Sequence, residues 1–221
     1  MNKLLITAAA VVFATGAFAT DLPKKKKAPA AAAVTTQAAE TAAASTDTTI
    51  SVDTGYEANS DKYGYNDRNK AVYNISASHD FGGGVYVLGT AGTSQSQPSD
   101  GALKQTIDGS VGYKLPTFAN ISMRASVGIG ERLTTGNDFP YYVLRGNVDY
   151  KINDTIQINA IQYRYRNAFD TVNSYESHQI GTGLTYTFAK NQAVYTKLYR
   201  NLDSNLNATD NGVVIGYKVA F

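Results

Sequence analysis

The 221-residue chain contains no cysteine and no tryptophan, and only 17% of its residues are charged. Without cysteine there is no disulfide framework, no thiolate metal site and no thiol nucleophile. The formal net charge of +2 excludes the broad basic surface that nucleic-acid binding requires, so no nucleic-acid partner is expected. Glycine and tyrosine are abundant instead, at 19 and 16 residues. This balance is atypical of a soluble enzyme domain.

Long apolar runs are missing too. The run at residues 4–14 is shorter than the about 20 residues that a transmembrane helix needs, and no later segment is long and apolar enough. It follows Lys3 and precedes Ala17-Phe18-Ala19, which offers small residues at both recognition positions of a cleavage site. The pattern predicts a cleaved signal peptide over residues 1–19 and export through the inner membrane.

Residues 20–47 have a different composition. Lys24–Lys27 form a basic run, and Ala, Pro and Thr follow with hardly a large apolar side chain. Such a segment cannot bury enough surface to offset its ordering entropy, which predicts a disordered periplasmic linker. It is interpreted as a solvated spacer, or else as a contact for anionic headgroups or cell-wall polymer, worth about 1 kcal/mol per lysine near a charged surface.

From residue 48 onward, apolar residues recur at every second position, which is the period of a β-strand. In the last such segment Val213, Ile215, Tyr217, Val219 and Phe221 share one face. The same pattern predicts ten strands, at about 48–58, 70–81, 84–95, 102–115, 120–132, 140–152, 155–167, 176–189, 192–202 and 211–221. The seventh changes phase between Ala160 and Ile161, which indicates a bulge.

The connections alternate between short turns and longer polar loops, and tyrosine and phenylalanine gather near strand ends. An even number of strands of about ten residues with these features is typical of a transmembrane barrel. A soluble sandwich would also alternate, but its strands are usually only about 5–6 residues long. We therefore predict an all-β fold, a transmembrane antiparallel up-and-down β-barrel over residues 48–221, most simply with ten strands and alternatively with eight.

The chain ends resemble those of small Gram-negative outer-membrane barrels. The features that carry the resemblance are the export signal, the Lys/Pro/Ala-rich start after it, and the final Tyr217-x-Val219-x-Phe221. The start Asp21-Leu22-Pro23 is similar to that of outer-membrane proteins of the alphaproteobacterial type, porin-like or opacity-type. The resemblance implies a location in the cell outer membrane, in contact with its lipid and lipopolysaccharide. It also implies that Tyr217, Val219 and Phe221 serve as a signal for the barrel-assembly machinery. The commonest barrels of this kind have eight strands.

If the apolar face meets lipid, the opposite face lines the lumen. The charged residues on it are Asp53, Lys104, Asp108, Lys114, Arg124, Arg132, Arg145, Asp149, Lys151, Lys197 and Lys218. Eight are basic and three are acidic. Placing an arginine or lysine against lipid at the midplane would cost about 2–4 kcal/mol, which favours the inward assignment. In the ninth strand, Lys197 therefore points inward together with Tyr195 and Tyr199.

Two interpretations of this lumen follow. In the first, the lumen is a narrow, porin-like path for ions or small solutes, and its basic side chains favour anions. In the second, the inward charges pair with one another and close the lumen as a plug, so that the barrel is a structural membrane component. An alternative is adhesion through long loops that carry Tyr63, Tyr65, Asp67, Arg68, Asn137, Asp138, Phe139, Asp170, Asn173 and Tyr175.

Catalysis is not expected, and neither is a cofactor or a metal. Ser177 and His178 are adjacent and point to opposite faces of a strand, so they cannot pair as nucleophile and base, and His178 is aimed at the lipid interface. His79 lies at the short-turn end, away from external substrates. The glycines at 82–84 belong to a hairpin turn and not to a phosphate loop.

Overall fold

The structure, a computed structural model, describes residues 47–59, 69–97, 103–134, 137–173 and 175–221. The predicted signal peptide, all of the predicted linker except Asp47, and the loop residues Tyr63, Tyr65, Asp67 and Arg68 lie outside these ranges. No helix in the described part of the chain is long and apolar enough to cross a membrane.

The described residues form ten β-strands in chain order. They are β1 (Thr48–Asn59), β2 (Asn69–Asp80), β3 (Val85–Gln97), β4 (Lys104–Lys114), β5 (Ile121–Leu133), β6 (Phe139–Lys151), β7 (Ile156–Ala168), β8 (Glu176–Ala189), β9 (Gln192–Leu202) and β10 (Ala208–Ala220). The boundaries agree with the predicted ones to within two residues, except that β10 begins three residues earlier. The agreement follows from the period-two alternation, which marks where each strand enters and leaves the sheet.

Each strand pairs antiparallel with its neighbour in sequence, and β1 pairs with β10 to close the barrel. The closing register runs from Thr49 opposite Ala220 to Asn59 opposite Asp210. The predicted all-β, ten-stranded, up-and-down barrel is confirmed, and the eight-stranded alternative is wrong. Closure leaves none of the ten described strands with an unpaired edge, whose backbone groups hydrocarbon could not satisfy.

The barrel has two unlike ends. The short turns, together with the start of β1 and the end of β10, lie at one end, which we call the turn end; the long connections lie at the other, the loop end. The turn after β2 contains Gly82, Gly83 and Gly84, all at positive φ, and Asp80 accepts a hydrogen bond from the amide of Gly82. Three consecutive positive φ values favour glycine, so this segment is a hairpin turn as predicted.

Large apolar side chains cover the outside of the barrel. Val111, Val127, Ile129, Leu198 and Ile215 are each more than half exposed. A soluble protein rarely leaves so continuous an apolar surface in water, whereas an outer-membrane barrel presents such a band to lipid. The exterior therefore has the character of a lipid-facing surface.

A bulge on β7 sets which side chains of that strand point inward. The pairing of β7 with β8 shifts between Asn159 and Gln162. Ala160 and Ile161 are both exposed, whereas Asn159 is buried and Arg164 lines the cavity described below. The predicted phase change is confirmed. Its consequence is that the even-numbered residues Arg164 and Arg166 point into the lumen.

Candidate functional site: the barrel lumen

The lumen contains a polar cavity of about 350 Å³ in the loop-end part of the barrel. Its floor is formed by mid-strand residues such as Asp53, Ser76 and Asn147. The charged residues that line it are seven cations and three carboxylates: Lys70, Lys104, Arg132, Arg145, Arg164, Arg166 and Lys197, with Asp53, Glu57 and Asp210. The cavity is therefore cationic in sum.

The structure divides the predicted lumen residues into three groups. Those that line the cavity are Asp53, Lys104, Arg132, Arg145 and Lys197, and Asp108 is buried beneath them. Arg124, Asp149 and Lys218 lie closer to the turn end, outside the cavity lining. Lys114 and Lys151 are at the turn-end rim, where they pair with Asp80 and Asp154.

The charges are segregated between two opposite walls. One side, on β4 to β7, carries Lys104, Arg132, Arg145, Arg164 and Arg166 around the single carboxylate Asp108; we call it the cationic wall. The other, on β9, β10, β1 and β2, carries Asp53, Glu57 and Asp210 with Lys70 and Lys197; we call it the carboxylate wall. Because these strand groups lie on opposite sides of the closed barrel, an electric field crosses the lumen.

Asp108 holds the cationic wall together. Its side chain is fully buried and forms ion pairs with Arg145 at 2.5 Å and with Arg166 at 3.1 Å. It also accepts a hydrogen bond from the hydroxyl of Tyr141 at 3.0 Å. Arg145 donates further to Ser110, and Arg166 lies over the Tyr141 ring. One carboxylate thus serves two arginines, which leaves a cation in excess even within the paired cluster.

The carboxylate wall is satisfied mainly by neutral donors. Asp53 accepts hydrogen bonds from the Asn74 amide at 2.6 Å and the Tyr195 hydroxyl at 2.7 Å. Its neighbour Glu57 accepts from the Tyr199 hydroxyl at 2.8 Å and lies 3.7 Å from Lys70. Lys70 also pairs with Asp210 at 2.8 Å, so one lysine bridges two carboxylates.

Both walls use the same three-strand contact, which we call the tyrosine bridge. A tyrosine lies across a glycine on the adjacent strand, and its hydroxyl reaches a carboxylate on the strand beyond. The three instances are Tyr141 over Gly130 to Asp108, Tyr199 over Gly212 to Glu57, and Tyr195 over Gly216 to Asp53. A Cβ added at any of these glycines would lie within 3 Å of the tyrosine ring, so only glycine admits the crossing.

Toward the turn end a separate network spans the inner face. Asp149 accepts a hydrogen bond from Asn159 at 2.7 Å and lies 3.9 Å from Arg124, and Asn159 in turn accepts from Thr185 at 3.1 Å. Asp149, Asn159 and Thr185 are buried. This turn-end network places buried, hydrogen-bonded side chains on the inner face below the cavity, and such pairing is what the plug interpretation expects.

Five further charged residues line the cavity that the alternation pattern did not assign to the lumen, namely Glu57, Lys70, Arg164, Arg166 and Asp210. Arg164 and Arg166 follow the bulge, so their inward direction could be read from the outward Ile161, Tyr163 and Tyr165 of the same strand. Glu57, Lys70 and Asp210 stand near the loop-end limits of their strands, where the alternation that assigns a face is short.

Tyr175, just before β8, marks where the arginines of the cationic wall converge. Its ring lies 4.4 Å from the Arg132 guanidinium carbon and packs edge-on against Phe139 and Tyr141. Burial alone would raise the pKa of the Tyr175 hydroxyl, but the positive charges of Arg166, Arg132 and Arg164 outweigh it and lower that pKa. The phenol oxygen of Tyr175 therefore lies in a positive potential.

The hydrogen bonds that the two histidines make among the described residues go to a tyrosine and a threonine. His178 Nδ1 hydrogen-bonds to the Tyr163 hydroxyl at 2.7 Å, and its Nε2 lies 3.6 Å from Glu176. His79 hydrogen-bonds to Thr48 at 2.8 Å at the turn end. Among the residues that the structure describes, no group of three or more His, Cys, Asp or Glu side chains could hold a metal ion.

No protein-family model and no curated protein matches the chain. Solved structures similar to it include Neisserial surface protein A, at 14% identity and a TM-score of 0.42 over 79% of this chain and 97% of that one. Another is the attachment invasion locus protein Ail of Yersinia pestis, at 13% identity and a TM-score of 0.40 over 80% and 99% of the two chains. The NanC porin gives 11% identity and a TM-score of 0.44 over 77% and 98%. At these identities and scores, the assignment of the fold rests on the strand pairing above.

Proposed function

We propose that the chain is an outer-membrane barrel whose lumen passes ions or small solutes and favours anions. The observation that carries the proposal is the cavity in the lumen, which seven cationic side chains and three carboxylates line. Basic side chains that line a narrow path raise the local concentration of anions and lower that of cations. A cavity of about 350 Å³ limits the solute to an ion or a small molecule.

The membrane location rests on the exterior. Apolar side chains alternate with inward polar ones on the strands, and tyrosine or phenylalanine lies near strand ends at Tyr73, Tyr113, Phe118 and Phe188. Hydrocarbon offers no partner to unpaired backbone groups, and closure through β1 and β10 satisfies them. The predicted export signal and the role of Tyr217, Val219 and Phe221 in assembly belong to the same proposal.

A purely structural membrane role is the second candidate. The observation that favours it is the turn-end network, because Asp149, Asn159 and Thr185 are buried and bonded to one another in the lumen. In a barrel this small, inward side chains can fill the interior completely. The two candidates differ in whether water and ions pass this network.

Single-channel recording of the refolded full chain in a planar bilayer distinguishes the candidates. A pore gives discrete current steps, and its reversal potential under a salt gradient reports anion preference. We expect Arg132→Gln and Arg164→Gln each to reduce that preference, because each removes a cation from the cavity. Arg200→Gln is the matched control, since Arg200 is exposed on the outer face of β9 and hydrogen-bonds to Asn211.

A correctly folded but silent barrel would contradict the channel proposal and favour the structural role. Folding is checked independently by comparing gel mobility before and after boiling, because a folded barrel migrates differently from the unfolded chain. Cation preference in the unmodified protein would also contradict the proposal.

A further inference from the structure

Four of the seven cations that line the cavity form no ion pair with a carboxylate among the described residues, and two of the four lie on β7 and β9. Arg164 on β7 and Lys197 on β9 both line it, and neither forms an ion pair with any carboxylate in the described residues. Lys197 donates a hydrogen bond to the side-chain oxygen of Gln179 at 2.7 Å, which satisfies one donor and leaves its charge uncompensated. Cations withdrawn from bulk water are costly unless an anion accompanies them.

The neighbours of these two residues increase the charge instead of cancelling it. Arg164 stands directly opposite Arg145 in the pairing of β6 with β7, and both point inward. Like charges directly opposite on adjacent strands destabilise a sheet. The charged neighbours that act most strongly on Lys197 are the three arginines Arg164, Arg166 and Arg145 and the carboxylate of Asp53.

The loop-end side of the cavity adds a third unpaired cation. Arg132 has no carboxylate within ion-pair distance among the described residues and is held by the faces of Tyr175 and Phe139. A guanidinium stacked on aromatic rings keeps its N–H edge available for an anion. Arg166 of the cationic wall is nine-tenths buried, and its Nε has no hydrogen-bond partner in the described structure.

We propose that the lumen contains a binding site for a small soluble solute that carries a phosphate or sulfate group, held between Arg164 and Lys197 with Arg132 above. The inference rests on the proposed function, because it names the class of solute that the cationic cavity admits. The site lies inside the closed barrel, behind the strands that separate it from lipid, so the phosphate group is that of a free solute and not of a lipid headgroup.

The ligand class follows from charge and geometry. Guanidinium groups match the oxygen atoms of phosphate and sulfate through paired N–H donors, and lysine adds a point charge. The excess of four cations over carboxylates in the cavity lining suits an anion of more than one charge. The cavity volume is at the small end of the range for ligand pockets, which limits the rest of the solute to a few atoms.

Calorimetric titration of the refolded full chain in detergent micelles tests the site, with inorganic pyrophosphate as the probe. We expect saturable binding with one pyrophosphate per chain, at least tenfold tighter than binding of the singly charged acetate. Arg164→Gln and Lys197→Gln are each expected to weaken pyrophosphate binding at least tenfold. Arg200→Gln, the same loss of charge on the outer face, is expected to leave it unchanged.

Equal binding of pyrophosphate by all four proteins, no binding by the unmodified chain, or equal affinity for acetate would each overturn the proposal. If Arg164→Gln does not give the heat-modifiable gel shift of a folded barrel, Arg164→Lys keeps the charge and should bind more weakly than the unmodified chain. Conductance separates the two proposals. An anion-selective pore without pyrophosphate binding overturns only the site, whereas binding by a silent barrel overturns only the channel.

Discussion

The two walls of the lumen are built on one architectural device but carry opposite charges. In each, tyrosines cross a glycine to reach a carboxylate two strands away. On the cationic wall the carboxylate Asp108 is shared by two arginines, whereas on the carboxylate wall Lys70 is shared by Glu57 and Asp210. The comparison separates what holds the barrel together from what sets its preference for ions.

The tyrosine bridge holds neighbouring strands of the barrel together. It links three consecutive strands across the inner face, and it occurs with either sign of excess charge around it. Ion preference depends instead on the four cations that have no carboxylate partner among the described residues, which are Lys104, Arg132 and Arg164 on the cationic wall and Lys197 on the carboxylate wall. Substitutions can therefore alter stability or selectivity separately.

Asp108→Ala is expected to have the largest effect on stability. It leaves Arg145 and Arg166 buried without their shared carboxylate and removes the acceptor of the Tyr141 hydroxyl. Breaking a buried ion pair by removing one partner costs about 3–5 kcal/mol. Urea unfolding of the barrel in lipid vesicles measures the loss.

The control for this variant is Asp154→Ala. Asp154 pairs with Lys151, but its side chain is 97% exposed at the turn-end rim, so the free energy of unfolding should not change. If Asp108→Ala proves as stable as Asp154→Ala, the cationic wall does not depend on its single carboxylate.

Gly130→Ala should have the next largest effect, because it blocks a tyrosine bridge. The added methyl carbon would clash with the Ile107 carbonyl oxygen and would lie 2.8 Å from Cζ of Tyr141. Overpacking of this kind costs about 1–3 kcal/mol, which the same urea titration measures. Gly109→Ala is the matched control, since a methyl group there meets nothing within 4 Å. Equal stability of the two variants would show that the bridge tolerates a side chain.

The smallest effect is expected in a loop outside both walls. The amides of Asn207 and Asn205 hydrogen-bond to the Asp203 carboxylate and hold its pKa below the ordinary 3.8. Since the folded pKa is the lower one, the contribution of these bonds is complete above pH 3.8 and is lost as the pH falls through the folded pKa.

Amide NMR shifts of Asn205 and Asn207 follow this protonation. We expect a midpoint below pH 3.8 and no midpoint in Asp203→Asn. A midpoint at or above pH 3.8 would show that the amides of the loop do not stabilise the ionised carboxylate of Asp203.

The strands were predictable because alternation extends through every one of them, and the bulge was visible as a change of phase at Ala160 and Ile161. The lining was only partly predictable. The direction of Arg164 and Arg166 was available from the outward Ile161 and Tyr163 once the bulge was taken into account, whereas Glu57 and Asp210 lie near strand ends, where few residues define a face. Which inward side chains contact one another could not be predicted, because contacts across strands depend on the register of the strand pairing. Tyr141 and Asp108, for example, meet because both stand opposite Gly130.

The most direct test of the account compares the two walls in one measurement, the reversal potential of the refolded barrel in a planar bilayer under a potassium chloride gradient. The account predicts that Arg164→Gln, on the cationic wall, lowers anion preference and that Glu57→Gln, on the carboxylate wall, raises it. Both side chains line the same cavity, and each substitution changes the charge by one unit. Shifts in the same direction, or none in either variant, would contradict the claim that the segregated charges of the lumen govern which ions it admits.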